Sequence, residues 1–368
     1  MEMNMTTLYI GLMSGTSMDG IDAALVDIAT NKLLLGITKK YSNEVKMRID
    51  AVLDGSGLSL ASVCQLNTLI GREFAEAANE LLEEVRMLPE DICAIGSHGQ
   101  TICHDTNTSI PYTLQLGCGH TISSLTGITV VADFRTRDLV NGGQAAPFAP
   151  LYHQELFAKD RANVALVNIG GIANITFINA NEATKGWDVG PGNCLMDAWI
   201  AKHQGKLYDE KGAWASQGEI IEPLLDQLLT DPFIQLSAPK SIGKEYFSLA
   251  WLESHLMSEY KPVDVQKTLV ALTARTIADC IMQMKTHIKE LYLCGGGTHN
   301  TALHHQIATL LPETVVKSIA DIGIDPDYLE AMLFAWLAAQ TLNKKALDLS
   351  AITGSKRPAI LGAVYPHS

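Results

Sequence analysis

The chain has 368 residues, 47% apolar and 18% charged, with 29 glycines that follow no Gly-X-Y period; this excludes a disordered or collagenous chain and suggests two domains. The formal charge of −13, from 27 Lys+Arg against 40 Asp+Glu with no basic stripe, argues against nucleic acid or an anionic membrane surface as the main partner. A phosphate ligand stays compatible, because backbone N–H groups of a glycine-rich loop bind phosphate without net charge. Seven cysteines, an odd number without CxxC, read as reduced thiols of a cytoplasmic protein. The opening MEMNMTT carries Glu2 and no Lys or Arg, unlike a signal-peptide n-region, and the most apolar stretch, residues 331–339, is too short to span a bilayer.

Taken in chain order, strands and helices alternate, which is the α/β pattern. Residues 8–13 and 21–28 read as strands joined by SGTSMDG, and 32–38 as a third. Helical spacing of Leu66, Leu69, Ile70, Phe74, Ala77, Ala78, Leu81 and Leu82 predicts an amphipathic helix over 64–85. Short buried strands follow at 92–96 and 128–132. The opening pattern then recurs: apolar residues 163–169, a Gly170-Gly171 turn, and apolar residues 172–178, about 159 residues after the first copy. Two strand–glycine turn–strand units suggest a duplicated architecture. Helices are expected at 194–203, 266–287 and 301–311, and a strand at 291–294 that runs into GGG. Asp325 and Pro326 are the expected cap and first position of the last helix. The crossover between halves is expected near residues 142–150.

Four clusters offer chemistry. Gly11-x-x-x-Gly15-Thr16-Ser17-Met18-Asp19-Gly20 lies between two strands; it lacks the Lys and the following helix of a Walker A loop, but its glycines and hydroxyls suit a phosphate, and Asp19 or Asp22 suits a cation. The bland alternative is a tight hairpin, for which Asp-Gly is a common turn. Gly295, Gly296 and Gly297 end a buried strand, with Asn300 at the next helix start, and suit a flat ligand or phosphate near the backbone. Asp188, ahead of Gly190-Pro191-Gly192, has the fixed setting a base needs, although capping a turn is the commoner use of Asp. GSHGQT (96–101) and ADFR (132–135) follow buried strands, where ligand crevices of α/β sheets lie. His98 there reads equally as a structural imidazole, and Asp133 as a metal ligand, a base or the partner of Arg135. His98, His104, Cys118 and His120 match no zinc spacing, and GTSMDG is no nucleophile elbow.

GLMSGTSMDGIDAALVDI, GSHGQT, VVADFR, NGGQAAPFAP, VNIGGIANIT, DVGPGNCLMD, LCGGGTHN, DPDYLEAMLFAWLA and ITGSKRPAILG resemble, in order and from about residue 8 to 366, the blocks of the anhydro-N-acetylmuramic acid kinases. The resemblance implies the two-domain fold of hexokinase, actin and Hsp70, an α/β class with a duplicated core and ATP between the lobes. It divides the chain into a first lobe of residues 1–145 plus about 345–368 and a second of 146–344. It implies that ATP and water convert 1,6-anhydro-N-acetylmuramic acid to N-acetylmuramic acid 6-phosphate in cell-wall recycling, with Mg²⁺ carried by ATP. It places the phosphates on Gly15, Thr16, Ser17, Met18, Asp19, Gly20, Ile21 and Asp22, a second phosphate turn at Gly170-Gly171, and the adenosine site near Gly295, Gly296, Gly297 and Asn300. Asp188 falls on the catalytic aspartate; His98, Gln100, Thr101, Asp133, Arg135 and Glu330 fall on sugar contacts, and Asp19 is the candidate for direct contact with the metal. No nucleic-acid or membrane partner is implied, and a homodimer stays open.

Two positions depart from the family's usual pattern. Ala145 stands where GGQGAP has glycine, and Val189 where Thr often follows the catalytic Asp; both bear on details of substrate contact. A plain sugar kinase, a sugar-sensing protein and an actin-like filament former are the rival readings of the same fold.

Overall fold

The structure, a computed structural model, describes residues 7–15, 18, 20–56, 59–106, 108–157, 163–179, 182–238, 240–243 and 246–367. It forms two compact units, Met1–Phe148 with Tyr328–Ser368, and Ala149–Asp327. The first opens on β1 (Leu8–Ser14), β2 (Ile21–Asp27) and β3 (Lys32–Lys39), then α1 (Asn43–Leu53) and α2 (Leu60–Val85). It continues through β4 (Ala94–Asp105), β5 (Tyr112–Leu116), α3 (Gly119–Thr126), β6 (Val130–Ala132) and α4 (Phe134–Val140). The second unit begins with α5 (Ala149–Phe157), β7 (Val164–Ile169), β8 (Ile172–Ile178), β9 (Lys185–Pro191) and α6 (Cys194–Gln204). Then come α7 (Glu222–Leu229), α8 (Pro232–Gln235), α9 (Leu249–Glu253), α10 (Pro262–Met282), β10 (Glu290–Cys294), α11 (Thr301–Leu310) and β11 (Val315–Ser318). The chain returns to the first unit with α12 (Leu329–Leu342) and β12 (Ala363–Tyr365).

The two sheets share one plan. In the first, β3, β2 and β1 are antiparallel neighbours, and β4 then β6 continue parallel to β1. In the second, β9, β8 and β7 are antiparallel neighbours, and β10 then β11 continue parallel to β7. Strand order and direction agree five for five, so the repeat legible in the glycine turns is a repeat of the whole sheet. This is the duplicated α/β core of the actin/hexokinase-like fold. The first sheet adds β5 beside β4 and β12 beside β6.

Helix α2 starts at Leu60, four residues before the expected start at 64, because Ser59 caps it reciprocally with Ser62. Its periodic residues Leu66, Ile70, Phe74, Ala77, Ala78 and Leu81 are all fully buried. The last helix starts later than expected: Asp325 accepts from Asp327 N in a local turn, Pro326 precedes the helix, and α12 begins at Leu329. Helix α10 stops at Met282, short of residue 287.

Helix α12 also moves the division of the chain, which falls at 327/328 in place of 344/345. It lies directly on β1 and β4, where Gly11 and Gly96 are register partners. A Cβ on Gly11 would collide with Ala331 O and lie 2.7 Å from Ala331 C; one on Gly96 would collide with Phe334 O and lie 2.6 Å from Phe334 C. Gly11 is thus needed for packing. Among the described residues no helix is long and apolar enough to cross a membrane.

Candidate functional site

In the first unit the β1–β2 turn is braced from below. Ser14 Oγ lies 2.8 Å from Gln100 Oε1 and 2.9 Å from Gly20 O. Gln100, 1% exposed on β4, donates from Nε2 to Gly15 O and Thr101 O, both at 3.3 Å, and its Oε1 also accepts from Tyr41 OH at 3.3 Å. All its hydrogen-bonding positions are engaged inside the unit. Gln100, expected on the sugar, therefore holds the turn; Ser14 and Tyr41, not singled out in the sequence, hold it too. GSHGQT itself lies inside β4, where it was expected to follow the end of a short buried strand.

Within the turn Met18 has φ 57° and its N–H donates to Gly15 O at 3.2 Å. Thr16, Ser17 and Asp19 lie outside the described residues. Gly20 is pressed against β3, with Lys39 O only 2.8 Å from where a Cβ would sit. Ile21 is fully buried in the core, so only its backbone can serve a ligand. Asp22 accepts from Thr38 Oγ1 at 2.7 Å.

His98, 5% exposed, accepts at Nε2 from Arg135 Nε at 3.0 Å, which leaves its ring proton on Nδ1. Burial, then the Arg135 charge, pushes its pKa well below the usual histidine range, so the ring is neutral. The ring also lies 4.7 Å from that of Phe334. Asp133, exposed with φ 55° at the start of α4, accepts from Thr136 Oγ1 at 2.5 Å. A cavity of about 390 Å³ brings His98 and Asp133 together with Asn67, Gln115, Cys118 and Tyr365. Thr101 Oγ1 accepts from Gln115 Nε2 at 3.3 Å, and Glu330 is half-buried in the first turn of α12.

Ala145 is fully buried with φ 58°, the left-handed region that favours the family's glycine. Its N–H donates to Asp138 Oδ2 at 2.7 Å, and Asp138 Oδ1 accepts from Thr353 Oγ1 at 2.9 Å. Burial raises the Asp138 pKa. The departure at 145 thus sits in a structural latch.

The second unit gathers three of the glycine motifs. Gly170 O accepts from Asn193 N at 2.7 Å, Gly171 O accepts from Gly192 N at 2.9 Å, and Asn193 Nδ2 donates to Ile169 O at 3.0 Å. Gly295 has φ 74° and abuts Asn168; a Cβ on Gly297 would lie 3.0 Å from Asn193 Oδ1. The Gly170-Gly171 turn, the GPGN corner and the GGG run therefore share one corner, at the C-terminal ends of β7 and β10. Gly296 opens a short 3₁₀ turn, so the long helix starts only at Thr301. There Asn300 caps α11, accepting from Leu303 N at 3.1 Å.

Asp188 lies within β9, 8% exposed, where a turn residue was one reading. Its Oδ2 accepts from Ser241 Oγ at 3.0 Å and from Ile242 N at 2.9 Å. Asn174 stands opposite it on β8, and Asn168 opposite Asn174 on β7, so three polar residues share one row across the sheet. Val189, the next residue, points the other way into the core, 1% exposed, so its departure from Thr removes nothing beside the carboxylate. A buried carboxylate with one oxygen held by two donors has a fixed direction, as a general base requires. Among the described residues no group of three His, Cys, Asp or Glu could hold a metal.

A family model described as Anhydro-N-acetylmuramic acid kinase matches residues 7–367. A protein of Legionella pneumophila (strain Lens) bearing that name is 67% identical over 360 residues, 98% of each chain. One of Coxiella burnetii (strain Dugway 5J108-111), with the same name, is 46% identical over 360 residues, 97% of each chain.

Proposed function

The chain belongs to the anhydro-N-acetylmuramic acid kinase family, a family of sugar kinases, and on that premise we propose that it opens 1,6-anhydro-N-acetylmuramic acid with water and phosphorylates O6 from ATP. The product is N-acetylmuramic acid 6-phosphate, and the step belongs to cytoplasmic cell-wall recycling. The observation that carries this reading is the Asp188 carboxylate, buried in the D-x-GPGN block and oriented by Ser241 and Ile242.

Asp188 takes a proton from the water that attacks C1. The C1–O6 bond breaks as the new C1–O bond forms. O6 then attacks the γ-phosphorus, the bond to the β-phosphate oxygen breaks, and ADP leaves. The proton returns from Asp188 to solvent. In this reading backbone N–H groups of the Gly15–Gly20 turn and of Gly170-Gly171 bind phosphate oxygens, where fixed donors stabilise developing charge. The corner by Gly295 to Gly297 takes the nucleoside. Mg²⁺, when bound, would supply charge neutralisation at the transferring phosphoryl group, and one or two carboxylates would suffice to hold it. Asp22, at the start of β2 next to the Gly15–Gly20 turn, and Asp19 are the candidate carboxylates. His98 holds Arg135 in place beside the sugar, and Asp133 shares the cavity.

The test is incubation with ATP, Mg²⁺ and a panel of anhydro- and hydroxyl-bearing sugars in ¹⁸O-enriched water, read by mass spectrometry at short times. One label at C1 and an unlabelled phosphate are expected. A label in the phosphate would mean that water attacked phosphorus first, and preference for a sugar with a ready hydroxyl would favour a plain sugar kinase.

A further inference from the structure

Asp188 is held by a segment far from it in the chain. Its N–H donates to Lys240 O at 2.9 Å, and Ser241 and Ile242 donate to its carboxylate. The same segment is pinned at its start. Lys240 is 9% exposed, and its ammonium donates to Phe233 O at 2.9 Å and Ile234 O at 2.8 Å while lying 4.7 Å from the Phe233 ring centre. Burying an ammonium forfeits hydration, and fixing a long side chain forfeits rotamer freedom. Filling that space alone would favour an apolar residue. The two carbonyls it grips lie in α8, whose start is fixed by Asp231 accepting from Phe233 N at 2.8 Å.

We propose that residues 240–242 form a strap that positions Asp188 for proton transfer, with Lys240 as its anchor and Ser241 setting the direction and basicity of the carboxylate. The proposal rests on the reading of Asp188 as the base. Both residues act through Asp188 and are positioning residues. Among the described residues, the charged and titratable groups around the strap include Lys240 itself, Asp231 at the start of α8 and Cys280 on α10; from β8, Asn174 faces Asp188 and does not titrate. Burial lowers the Lys240 pKa, while Cys280, Asp188 and Asp231 oppose that fall.

The experiment compares Ser241→Ala, Ser241→Thr, Lys240→Met and Asp188→Asn in steady-state kinetics over pH, with melting temperatures. Removing a hydroxyl that donates to a carboxylate disfavours the charged form and raises its pKa. Ser241→Ala should lower kcat about tenfold, the worth of one hydrogen bond to a charged group. It should leave both KM values within about twofold and move the acid limb of kcat upward by up to about one pH unit. Ser241→Thr should restore both readouts. Lys240→Met should lower kcat with KM unchanged; should it fail to fold, Lys240→Arg should fold and hold an intermediate kcat. A Ser241→Ala enzyme with wild-type kcat, or with an unmoved acid limb, overturns the strap while an inactive Asp188→Asn leaves the base in place. An Asp188→Asn enzyme within a few-fold of wild type overturns both.

Discussion

Replacing Gly11 by alanine tests how closely α12 sits on the first sheet. A Cβ there meets Ala331 O in outright collision, with Ala331 C at 2.7 Å and Ala335 N at 2.9 Å, where ordinary contact begins at 3.4 Å. All the obstructing atoms are backbone, so no side chain can swing aside, and α12 must retreat by roughly 1 Å; a gap of about 0.5–1 Å forfeits a quarter to a half of each van der Waals contact. The helix buries Ala331, Met332, Phe334, Ala335, Leu337 and Ala338, so the loss falls on many contacts at once. Overpacking typically costs about 1–3 kcal/mol, and rigid neighbours place this case at about 3 kcal/mol. Alanine recovers about 0.5–1 kcal/mol of strand propensity, which offsets only part. At about 2–4 °C per kcal/mol for a unit of this size, the net is a fall in Tm of roughly 5–10 °C. Circular dichroism melts of wild type and Gly11→Ala measure it, with Gly96→Ala, facing Phe334 on the partner strand, as a second reading. A Gly11→Ala protein melting within 2 °C of wild type would refute the packing account.

Three further outcomes are expected. Gly170→Ala should leave Tm unchanged, since its backbone is not left-handed and the nearest atom to a Cβ, Ile172 O, is 3.7 Å away; if the turn binds phosphate, calorimetric nucleotide affinity should still fall. Asp188→Asn should bind ATP and sugar yet lose turnover by about 10²–10⁴, the usual worth of a general base, and normal turnover would reduce Asp188 to a structural role. Acid should destabilise the protein through its buried neutral histidines. Burial lowers the pKa of His153 to about 3, and that of His98 lies well below the ordinary value, so the unfolded chain takes up protons that the folded chain cannot. Their stabilisation is complete above about pH 6.5 and is lost as pH falls, by about 1.4 kcal/mol per unit for each residue. Urea midpoints at about pH 7 and pH 5 for wild type and His153→Asn measure one share; equal slopes in the two proteins would refute it.

The sheets were largely legible because their strands are short apolar runs bounded by glycine turns. Residues 8–13, 21–28 and 172–178 locate β1, β2 and β8 to within a residue or so. Strand β5 escaped because Tyr112–Leu116 carries an exposed, alternating face on an added edge strand. Strand β9 escaped because Gly190 and Pro191 read as turn formers, yet here the strand is bounded by the latch of Gly192 and Asn193 onto Gly170 and Gly171, a contact between segments distant in sequence. Glycine also carried two meanings that spacing cannot separate. Gly11 and Gly96 make room for α12, while Gly295 supplies a left-handed turn against Asn168.

The candidate site divides in the same way. Asp188 was legible because a carboxylate before Gly-Pro-Gly has few local uses, and two were weighed. Gln100 was expected on the sugar from the resemblance of its block; its bonds to Gly15, Ser14, Tyr41 and Thr101 give the amide a structural task that the sequence did not signal. Ser241 had no signal at all. It lies 53 residues beyond Asp188, in a stretch without periodicity or glycine cluster, and becomes meaningful only when the fold brings its hydroxyl to a carboxylate oxygen. Chemistry-bearing side chains declare themselves by type and local setting, whereas the groups that aim them are ordinary serines, lysines and backbone N–H groups. Such contacts exist only in the folded chain, so a sequence read segment by segment singles out a candidate reacting group before it singles out the residues bonded to it.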